Sequence, residues 1–229
     1  MHVKLHRIAL FALGCSLLVL GGCADMLGLK GGSAPVHYYV LSSVSEGRAG
    51  DATGPAKYDI TVGVASVNVP EYLNNQMIVT RPTRNTVDLA ELHNWAAPLS
   101  EHVTAVLAEN LWFLIPADGV VRMPLSRAIP IDFEVRTRLE KFERDESGDV
   151  VLLARWVVFN EQTREASAIK SAQFRVPVVV EDRPYAEGKD TGRFENDVYE
   201  AIVAAMSKAL GELSREIADT VRTAASTSR

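Results

Sequence analysis

Cys23 has the most distinctive chemistry in this chain, because its thiol ends the sequence Leu20-Gly-Gly-Cys23. A short basic start, with Lys4 and Arg7, precedes an apolar run from Ile8 to Leu20. This order of basic, apolar and small residues is typical of a bacterial export signal. With a cysteine directly after the small residues it forms a lipobox, where a signal peptidase cuts and the thiol receives diacylglycerol. The sequence predicts that Cys23 becomes the first residue and carries lipid on its sulfur and its amine.

Two other interpretations of this leader stay open: a secretory signal with a chance cysteine, and an uncleaved membrane anchor. The apolar run is shorter than the roughly 20 residues that cross a bilayer as a helix. Cys15 competes with Cys23, but cleavage there would leave the apolar segment only about half built. Ala24 follows Cys23, at a position where aspartate retains lipoproteins in the inner membrane of enteric bacteria. We therefore expect a lipid anchor in the outer membrane, on its periplasmic face, rather than in the inner membrane.

The charge of the mature chain excludes one large class of partners. Removing 22 of the 229 residues leaves 207, enough for one compact domain with a sizeable core. The formal net charge of −5 becomes −7, because Lys4 and Arg7 leave with the signal. An acidic domain lacks the basic footprint that nucleic acid requires. The same acidity argues against electrostatic adhesion of the folded surface to anionic lipid, so we expect the lipid alone to hold the membrane.

Side chains suited to catalysis are sparse in the mature chain. Cys15 leaves with the signal and Cys23 is acylated, so neither a disulfide nor a catalytic thiol remains. The sequence contains no nucleophile elbow, zinc-protease, P-loop or dinucleotide-binding motif. Three histidines are left, and their spacing does not suit a zinc site: His37, His93 and His102. We expect no enzyme activity, no metal and no cofactor beyond the covalent lipid on Cys23.

Two sets of neighbouring acids are candidates for a general acid and base pair. The candidates are Glu181-Asp182 and Glu143 with Asp145. Both fall in expected turns, where a solvated surface is the usual explanation. No other feature of the sequence indicates acid and base catalysis by carboxylates, and we interpret these acids as surface residues.

Turn residues and hydrophobic periodicity divide the chain into four parts: a lipoprotein signal peptide (1–22), a lipidated flexible tether (23–36), an α/β domain (37–224) and a disordered tail (225–229). A polar loop is expected over Ser45–Ala56, and alternating or β-branched segments predict strands elsewhere. The expected strands are His37–Ser42, Lys57–Val69, Met77–Arg81, Thr86–Leu92, Val120–Met123, Ile131–Glu140, Val150–Phe159 and Ala168–Val180.

Two helices are expected among these strands. The first starts near Pro98, which suits a first helical turn, and ends at Leu111 or Phe113. The second is amphipathic, with apolar residues every three or four positions over about 28 residues from Phe194 to Val221. A coiled-coil seam is the alternative, but the sheet needs a cover and we expect the helix to pack on it. Hairpins require antiparallel pairs and helical crossovers require parallel ones, so the sequence predicts a single layered α/β domain with a mixed sheet and two main helices.

An ordered set of short motifs resembles the PqiC family, also called ABC-type transport auxiliary lipoproteins. The first part of the set is Gly63-Val-Ala-Ser-Val-Asn-Val-Pro-Glu-Tyr-Leu73, Met77-Ile-Val-Thr-Arg81 and Leu92-His-Asn-Trp-Ala-Ala-Pro-Leu99. Phe142-Glu143, Ala154-Arg155-Trp156 and the final helix continue the pattern. No single motif is specific to the family, but the order of the motifs together with the lipobox is specific. The resemblance covers residues 37–222.

The resemblance implies a fold, partners and a role. The implied fold is an α/β domain similar to the N-terminal domain of TolB. The implied role is a non-catalytic lipoprotein that docks an MCE-domain protein (PqiB-like) to the membrane, supports envelope integrity and acts indirectly with an inner-membrane permease. In this role we expect the chain to act as a homo-oligomer, such as a ring of copies. Two other functions stay open: a TolB-like scaffold or activator of a cell-wall synthase, and a lipid carrier or hydrolase with a deep apolar pocket.

Four residues within the motifs are our candidates for partner contact: Tyr72, Leu73, Arg81 and Trp95. Tyr72 and Leu73 follow a strand in the loop after Pro70, where they are not obviously part of the core. Tyrosine, tryptophan and arginine are also common interface anchors. The alternative, which we favour slightly, is that the aromatic residues cap the edge of the core and Arg81 pairs with a local acid.

Overall fold

The computed structural model describes residues 35–46, 58–124, 129–180 and 191–227. From Val36 onward the chain forms one compact unit. The predictions for the signal peptide, for Cys23 and for nearly all of the tether fall outside the described residues. So do most of the expected loop Ser45–Ala56 and the acid pair Glu181-Asp182.

The described residues form eight strands and two helices in the order ββββ-α-ββββ-α. The strands are β1 (His37–Tyr39), β2 (Tyr58–Val64), β3 (Met77–Thr83), β4 (Thr86–Trp95), β5 (Ala117–Arg122), β6 (Phe133–Arg144), β7 (Val150–Asn160) and β8 (Glu165–Val176). The helices are α1 (Leu99–Leu114) and α2 (Thr191–Thr227). The predicted fold class, an α/β domain with a mixed sheet and two main helices, is confirmed.

Strand β6 is the junction of the sheet. One edge of β6 pairs antiparallel with β7, which in turn pairs antiparallel with β8. The other edge is shared, because β2 pairs in parallel with the start of β6 and β3 with its end. Strand β5 extends the β2 side, while β4 and then β1 extend the β3 side. Because both branches meet on β6, residues far apart in sequence come together at its two ends.

The sequence of β6 assigns its two faces. Val135 and Leu139 are fully buried on the face covered by the helices, and Arg136 and Arg138 between them are exposed. The pairing register with β7 shifts between Leu139 and Lys141, which is the signature of a β-bulge. The bulge changes the alternation, so the last residues of the strand do not follow the pattern of the first.

Helix α1 begins one residue later than the sequence suggested. Pro98 is the N-cap, with an extended backbone, rather than a residue of the first turn. The predicted apolar stripe is confirmed, since Val103, Leu107 and Leu111 are all fully buried. Ile115 ends the helix with an extended conformation, and its N–H donates to the carbonyl of Leu111 at 2.8 Å.

Helix α2 covers the sheet, as expected, but it has 37 residues instead of about 28. It contacts β6, β7 and β8 as well as α1, and Ile202, Leu210 and Leu213 are buried along it. Trp156 on β7 donates its ring N–H to the Thr220 hydroxyl at 3.3 Å. Packing on the sheet therefore replaces the coiled-coil alternative.

The prediction of a disordered tail from residue 225 is wrong for the part of the tail that the structure describes. Helix α2 continues to Thr227, and Ala224 and Ala225 are buried, at 8% and 3% exposure. Small alanines at these positions let the last turn lie close to its neighbours, so packing holds a segment whose polar sequence suggested fraying. Residues 228–229 lie outside the described part of the chain.

Several strand ends also differ from the sequence prediction. Strand β1 stops at Tyr39, three residues early, and β2 stops at Val64 rather than Val69. Beyond β2 the chain still follows the edge of β6 through an isolated bridge from Asn68 to Arg138. Strand β5 begins at Ala117, three residues before the expected start at Val120. Parallel pairing with β2 supplies the hydrogen bonds that extend the strand over Asp118-Gly119, a dipeptide that favours turns.

Candidate functional site

The end of β6 carries the cluster in which two of the four candidate contact residues meet. A tight turn over 70–74 presents Tyr72, with the amide of Leu73 donating to the carbonyl of Pro70 at 3.0 Å. Strand β3 presents Arg81, and the register brings Thr80 of β3 opposite Arg144 of β6. Both side chains therefore reach Glu143, the residue next to Arg144. We call Tyr72, Arg81 and Glu143 the β6 ion cluster.

Glu143 is fully engaged by hydrogen bonds. Arg81 donates from Nε to Oε1 at 2.7 Å, and the Tyr72 hydroxyl lies 3.1 Å from both carboxylate oxygens. The backbone N–H of Phe142 donates to Oε2 at 2.9 Å. The Arg81 guanidinium also lies 5.2 Å from the centre of the Tyr72 ring, within cation–π range. The side chain of Glu143 is 1% exposed and that of Arg81 is 18% exposed, so the two groups are held in a fixed orientation with little access to water.

The surroundings shift the pKa values of the two groups that donate to Glu143. Burial, and then the negative charge of Glu143, raise the pKa of the Tyr72 hydroxyl. The hydrogen bond to Glu143 raises the pKa of Arg81, against the opposing effect of burial. Tyr72 therefore stays protonated as a donor and Arg81 stays charged, which fixes the geometry of the cluster.

The other two candidate residues lie in the core. Leu73 is 1% exposed and Trp95 is 3% exposed. Trp95 packs edge-on against the ring of His102, with the ring centres 6.2 Å apart. Leu73 and Trp95 therefore pack in the core and offer no exposed surface to a partner. Arg81 pairs with an acid, Glu143, as the alternative to partner contact had stated.

The interpretation of Glu143 as a solvated turn residue is wrong. Glu143 lies within β6, and only Asp145 belongs to the following turn. The bulge near Glu140 and the approach of β3 bury the carboxylate, and neither is visible in the local sequence. Asp145 is only partly exposed, and its carboxylate accepts from Arg175 of β8 at 2.9 Å. Burial acts to raise the pKa of Asp145, but the hydrogen bonds from Arg175 and Ser147 outweigh it and lower that pKa.

A second cluster surrounds His93, which the sequence had marked only as an unlikely metal ligand. His93 is 2% exposed, and its Nδ1 lies 2.9 Å from the Tyr39 hydroxyl. The His93 ring stacks on Tyr199 of α2 at 3.9 Å and faces His37 at 5.9 Å. Glu195 is 3.6 Å from its Nε2. Burial lowers the pKa of His93, an effect that the charge of Glu195 opposes.

These clusters hold the fold together rather than present reactive groups. The Tyr72 hydroxyl faces a carboxylate that Arg81 already neutralises, so no general base is poised to activate a nucleophile. His102 lies apart from the His93 cluster, against Trp95, and burial lowers the pKa of His102. Within the described ranges, no three histidine, cysteine or acidic side chains converge as metal ligands would.

The family of the chain is given by a match over residues 39–218 to the model described as "ABC-type transport auxiliary lipoprotein component". The chain belongs to this family. Membership makes it an auxiliary component of transport, which implies partner transport proteins and a membrane-associated place in the cell envelope. The match contains the β6 ion cluster and all of the His93 cluster except His37, which lies before residue 39.

Solved structures of similar fold agree with this assignment. A Xanthomonas campestris protein of the DUF330 family is 14% identical, has a TM-score of 0.64, and the match covers 84% of this auxiliary lipoprotein and 98% of that chain. An uncharacterized protein is 17% identical with a TM-score of 0.60, covering 82% and 99% of the two chains. At these identities the likeness shows the fold alone. No curated protein matches this chain.

In the described part of the chain, neither helix is both long and apolar enough to cross a bilayer.

Proposed function

We propose that this chain is a non-catalytic, lipid-anchored subunit of an MCE-type intermembrane lipid transport system. Its acylated Cys23 holds it on the periplasmic face of the outer membrane, where it docks an MCE-domain protein and supports envelope integrity. Transport energy belongs to an inner-membrane permease complex, with which this subunit acts indirectly through the MCE protein. The observation that carries the proposal is the family match over residues 39–218, together with the lipobox that precedes it.

The structure supports a docking role for the surface around the β6 ion cluster. Tyr72 and Arg81 are partly exposed, and the ion pair with Glu143 holds both in place. A side chain that is already ordered loses little conformational entropy on binding, which favours it as an interface anchor. Glu71 and Asn74 in the same turn are exposed and would form the rim of such an interface. In this proposal the surface binds protein, and the chain needs no metal or cofactor other than its covalent lipid.

One cavity in the described part of the chain bears on the lipid-carrier alternative. A cavity of about 690 Å³ lies between the start of β2 and the end of α2. Its lining is mainly hydroxyl and charged side chains: Tyr58, Pro116, Asp219, Arg222, Thr223, Ser226 and Thr227. An acyl chain requires a mostly apolar lining, so this cavity gives a carrier function no support.

The docking proposal is tested by photo-crosslinking in cells. A photoreactive amino acid replaces Glu71, which is exposed beside Tyr72, and a matched control replaces Lys208 on the exposed side of α2. We expect position 71, and not position 208, to capture an MCE-domain protein. Capture of a cell-wall synthase at position 71 would instead favour the scaffold or activator function. Equal capture at positions 71 and 208 would contradict the proposal that the surface around Tyr72 is the docking site.

The anchor is tested separately by mass spectrometry of the mature N-terminus. We expect a first residue, Cys23, that carries lipid on sulfur and nitrogen, and we expect Cys23→Ala to release the protein from membranes. An unmodified N-terminus after cleavage at another site would overturn the anchor without affecting the crosslinking result.

A further inference from the structure

Four cations of this acidic chain lie together on one face of the sheet. The register of β6, β7 and β8 places three rows of side chains on the face opposite the helices. The rows are Arg136, Val157 and Ile169; Arg138, Arg155 and Ser171; and Lys141, Leu153 and Gln173. We call these nine residues the outer face.

The outer face is open to solvent. The side chains of Arg136, Arg138 and Arg155 are 56%, 66% and 70% exposed, and Ile169 is 76% exposed. Lys141 is exposed as well, whereas Leu153 and Val157 on the central strand are only partly covered. Cations therefore surround an apolar strip, a combination that an ordinary solvated sheet face does not require.

Nearby acids offset only part of this positive charge. Glu134 pairs with Arg136, and Glu140 lies 3.7 Å from both Arg138 and Arg155. The negative charge of Glu161 also acts on Arg136, and Arg164 lies 3.7 Å from Glu161. At the end of the sheet Arg175 binds two carboxylates, Asp145 and Asp149. The four cations therefore exceed Glu134 and Glu140 by two, and the second carboxylate beside Arg175 reduces this excess to one.

Screening makes this local excess matter more than the negative net charge. At physiological ionic strength the Debye length is about 8 Å, so charges on the helix side of the domain contribute little at the outer face. Each lysine or arginine near an anionic bilayer strengthens binding roughly fivefold. The expectation from net charge, that the folded surface does not adhere to anionic lipid, therefore does not describe this face.

We propose that the outer face lies against an anionic phospholipid surface when the chain is anchored at Cys23. This proposal rests on the lipid anchor of the proposed function. Bilayer phosphates complement Arg136, Arg138, Arg155 and Lys141, and Ile169 enters the interfacial region. The binding orients the anchored domain on the membrane.

The length of the N-terminal segment permits this orientation. Twelve residues separate Cys23 from Val36, and such a segment spans at most about 40 Å. Four strand spacings separate β1 from β7 across the sheet, which is about 19 Å. The lipid can therefore enter the same bilayer that the outer face contacts.

Lysine footprinting on vesicles tests the proposal. The mature chain from residue 23 has one cysteine, so Cys23 is coupled to a maleimide lipid in vesicles of phosphatidylcholine, with or without about one-third phosphatidylglycerol. This chemical anchor makes the result independent of acylation in the cell. Acetylation is then measured at Lys141 on the outer face, and at Lys170 on the opposite face and Lys208 on α2, which are exposed internal references.

We expect acetylation of Lys141, relative to the two references, to slow roughly threefold or more on anionic vesicles and to recover in about 1 M salt. The variant R138Q/R155Q should remove this protection. The control R193Q/R215Q, which changes the net charge equally on exposed positions of α2, should keep it. Equal reactivity of all three lysines on anionic vesicles would overturn the proposal.

Three further results would also overturn it. Protection of Lys141 that persists on pure phosphatidylcholine and in high salt would assign the face to apolar insertion without phosphate recognition. Protection that occurs only when an acidic partner protein is added would assign the face to that protein. Loss of protection in the R193Q/R215Q control as well would show that net charge, not the outer face, governs the contact.

Discussion

The two ends of strand β6 use charge in opposite ways. Near its end Glu143 is buried, and Arg81, Tyr72 and a backbone N–H all bind the carboxylate. Nearer its start Arg136 and Arg138 extend into solvent; Glu134 beside Arg136 is buried, but Glu140 beside Arg138 is partly exposed. The same strand therefore contains a charge that the fold depends on and charges that are free to meet a partner.

The difference shows that burial, more than pairing, decides what an ion pair contributes to stability. An exposed pair contributes about 0–1 kcal/mol, because water and salt screen it and both side chains lose freedom. Removing one partner of a buried pair costs about 3–5 kcal/mol, because the other charge is left without compensation. The following predictions test this contrast.

The largest effect is expected for Glu143→Ala. The substitution leaves Arg81 and the Tyr72 hydroxyl without their acceptor, so we expect the free energy of unfolding to fall by about 3–4 kcal/mol. Urea denaturation followed by circular dichroism measures it. The double variant R81M/E143L removes both charges and fills the space, and we expect it to recover most of the loss. A loss below about 1 kcal/mol for Glu143→Ala would mean that the buried ion pair contributes no more to stability than the exposed pairs near the start of β6.

Tyr72→Phe should have the next largest effect on stability. It removes one hydrogen bond to a charged acceptor but leaves the ring against Arg81, and we expect a loss of about 1–2 kcal/mol in the same denaturation assay. In the E143Q background the loss from Tyr72→Phe should be smaller, since the acceptor is then neutral. Equal losses in the two backgrounds would show that the carboxylate charge is not what Tyr72 recognises.

His93 extends the comparison, because it is a buried ionisable group whose nearest opposite charge, Glu195, is exposed and 3.6 Å away. Its pKa is lowered in the folded state, so the unfolded chain binds the proton more tightly. Stability is therefore full above the unfolded pKa of about 6.5 and is lost as pH falls below that value. We expect unfolding free energies measured from pH 8 to pH 5 to decrease toward acid. The slope should be smaller in His93→Phe, and an unchanged slope would assign the acid sensitivity to other groups such as His102.

The smallest effect is expected for Arg138→Gln. The side chain is 66% exposed and its nearest carboxylate oxygen is 3.7 Å away, so we expect stability to change by less than about 0.5 kcal/mol. Thermal unfolding measures it. A loss comparable with that of Tyr72→Phe would mean that Arg138 is structural, and its use in the footprinting experiment would then need a different variant.

The sequence predicted most of the secondary structure where alternation or helical spacing was long. Strands β6 and β7 and the stripe of Val103, Leu107 and Leu111 in α1 follow directly from the pattern of apolar residues. Errors occurred where a distant contact overrides a local signal. Pairing with β2 extends β5 through Asp118-Gly119, and packing carries α2 past Ala225.

The candidate site was predicted less well. The sequence singled out Tyr72 and Arg81, but it could not separate them from Leu73 and Trp95, since all four belong to the same motifs. It placed Glu143 at the surface, because strand alternation does not reveal a bulge or the approach of β3. The sequence predicted that Arg81 could pair with an acid, but it did not identify Glu143 as that acid.

By itself the sequence determined the class of the fold and the expectation of a lipid anchor, because periodicity and the order of residues around Cys23 are local properties of the chain. Only the tertiary structure decided which charges are buried and which are exposed together. That distribution depends on how β2, β3 and β7 share the edges of β6. The net charge sums all charged residues equally, whereas screening by salt limits electrostatic interactions to charged groups that lie close together in space.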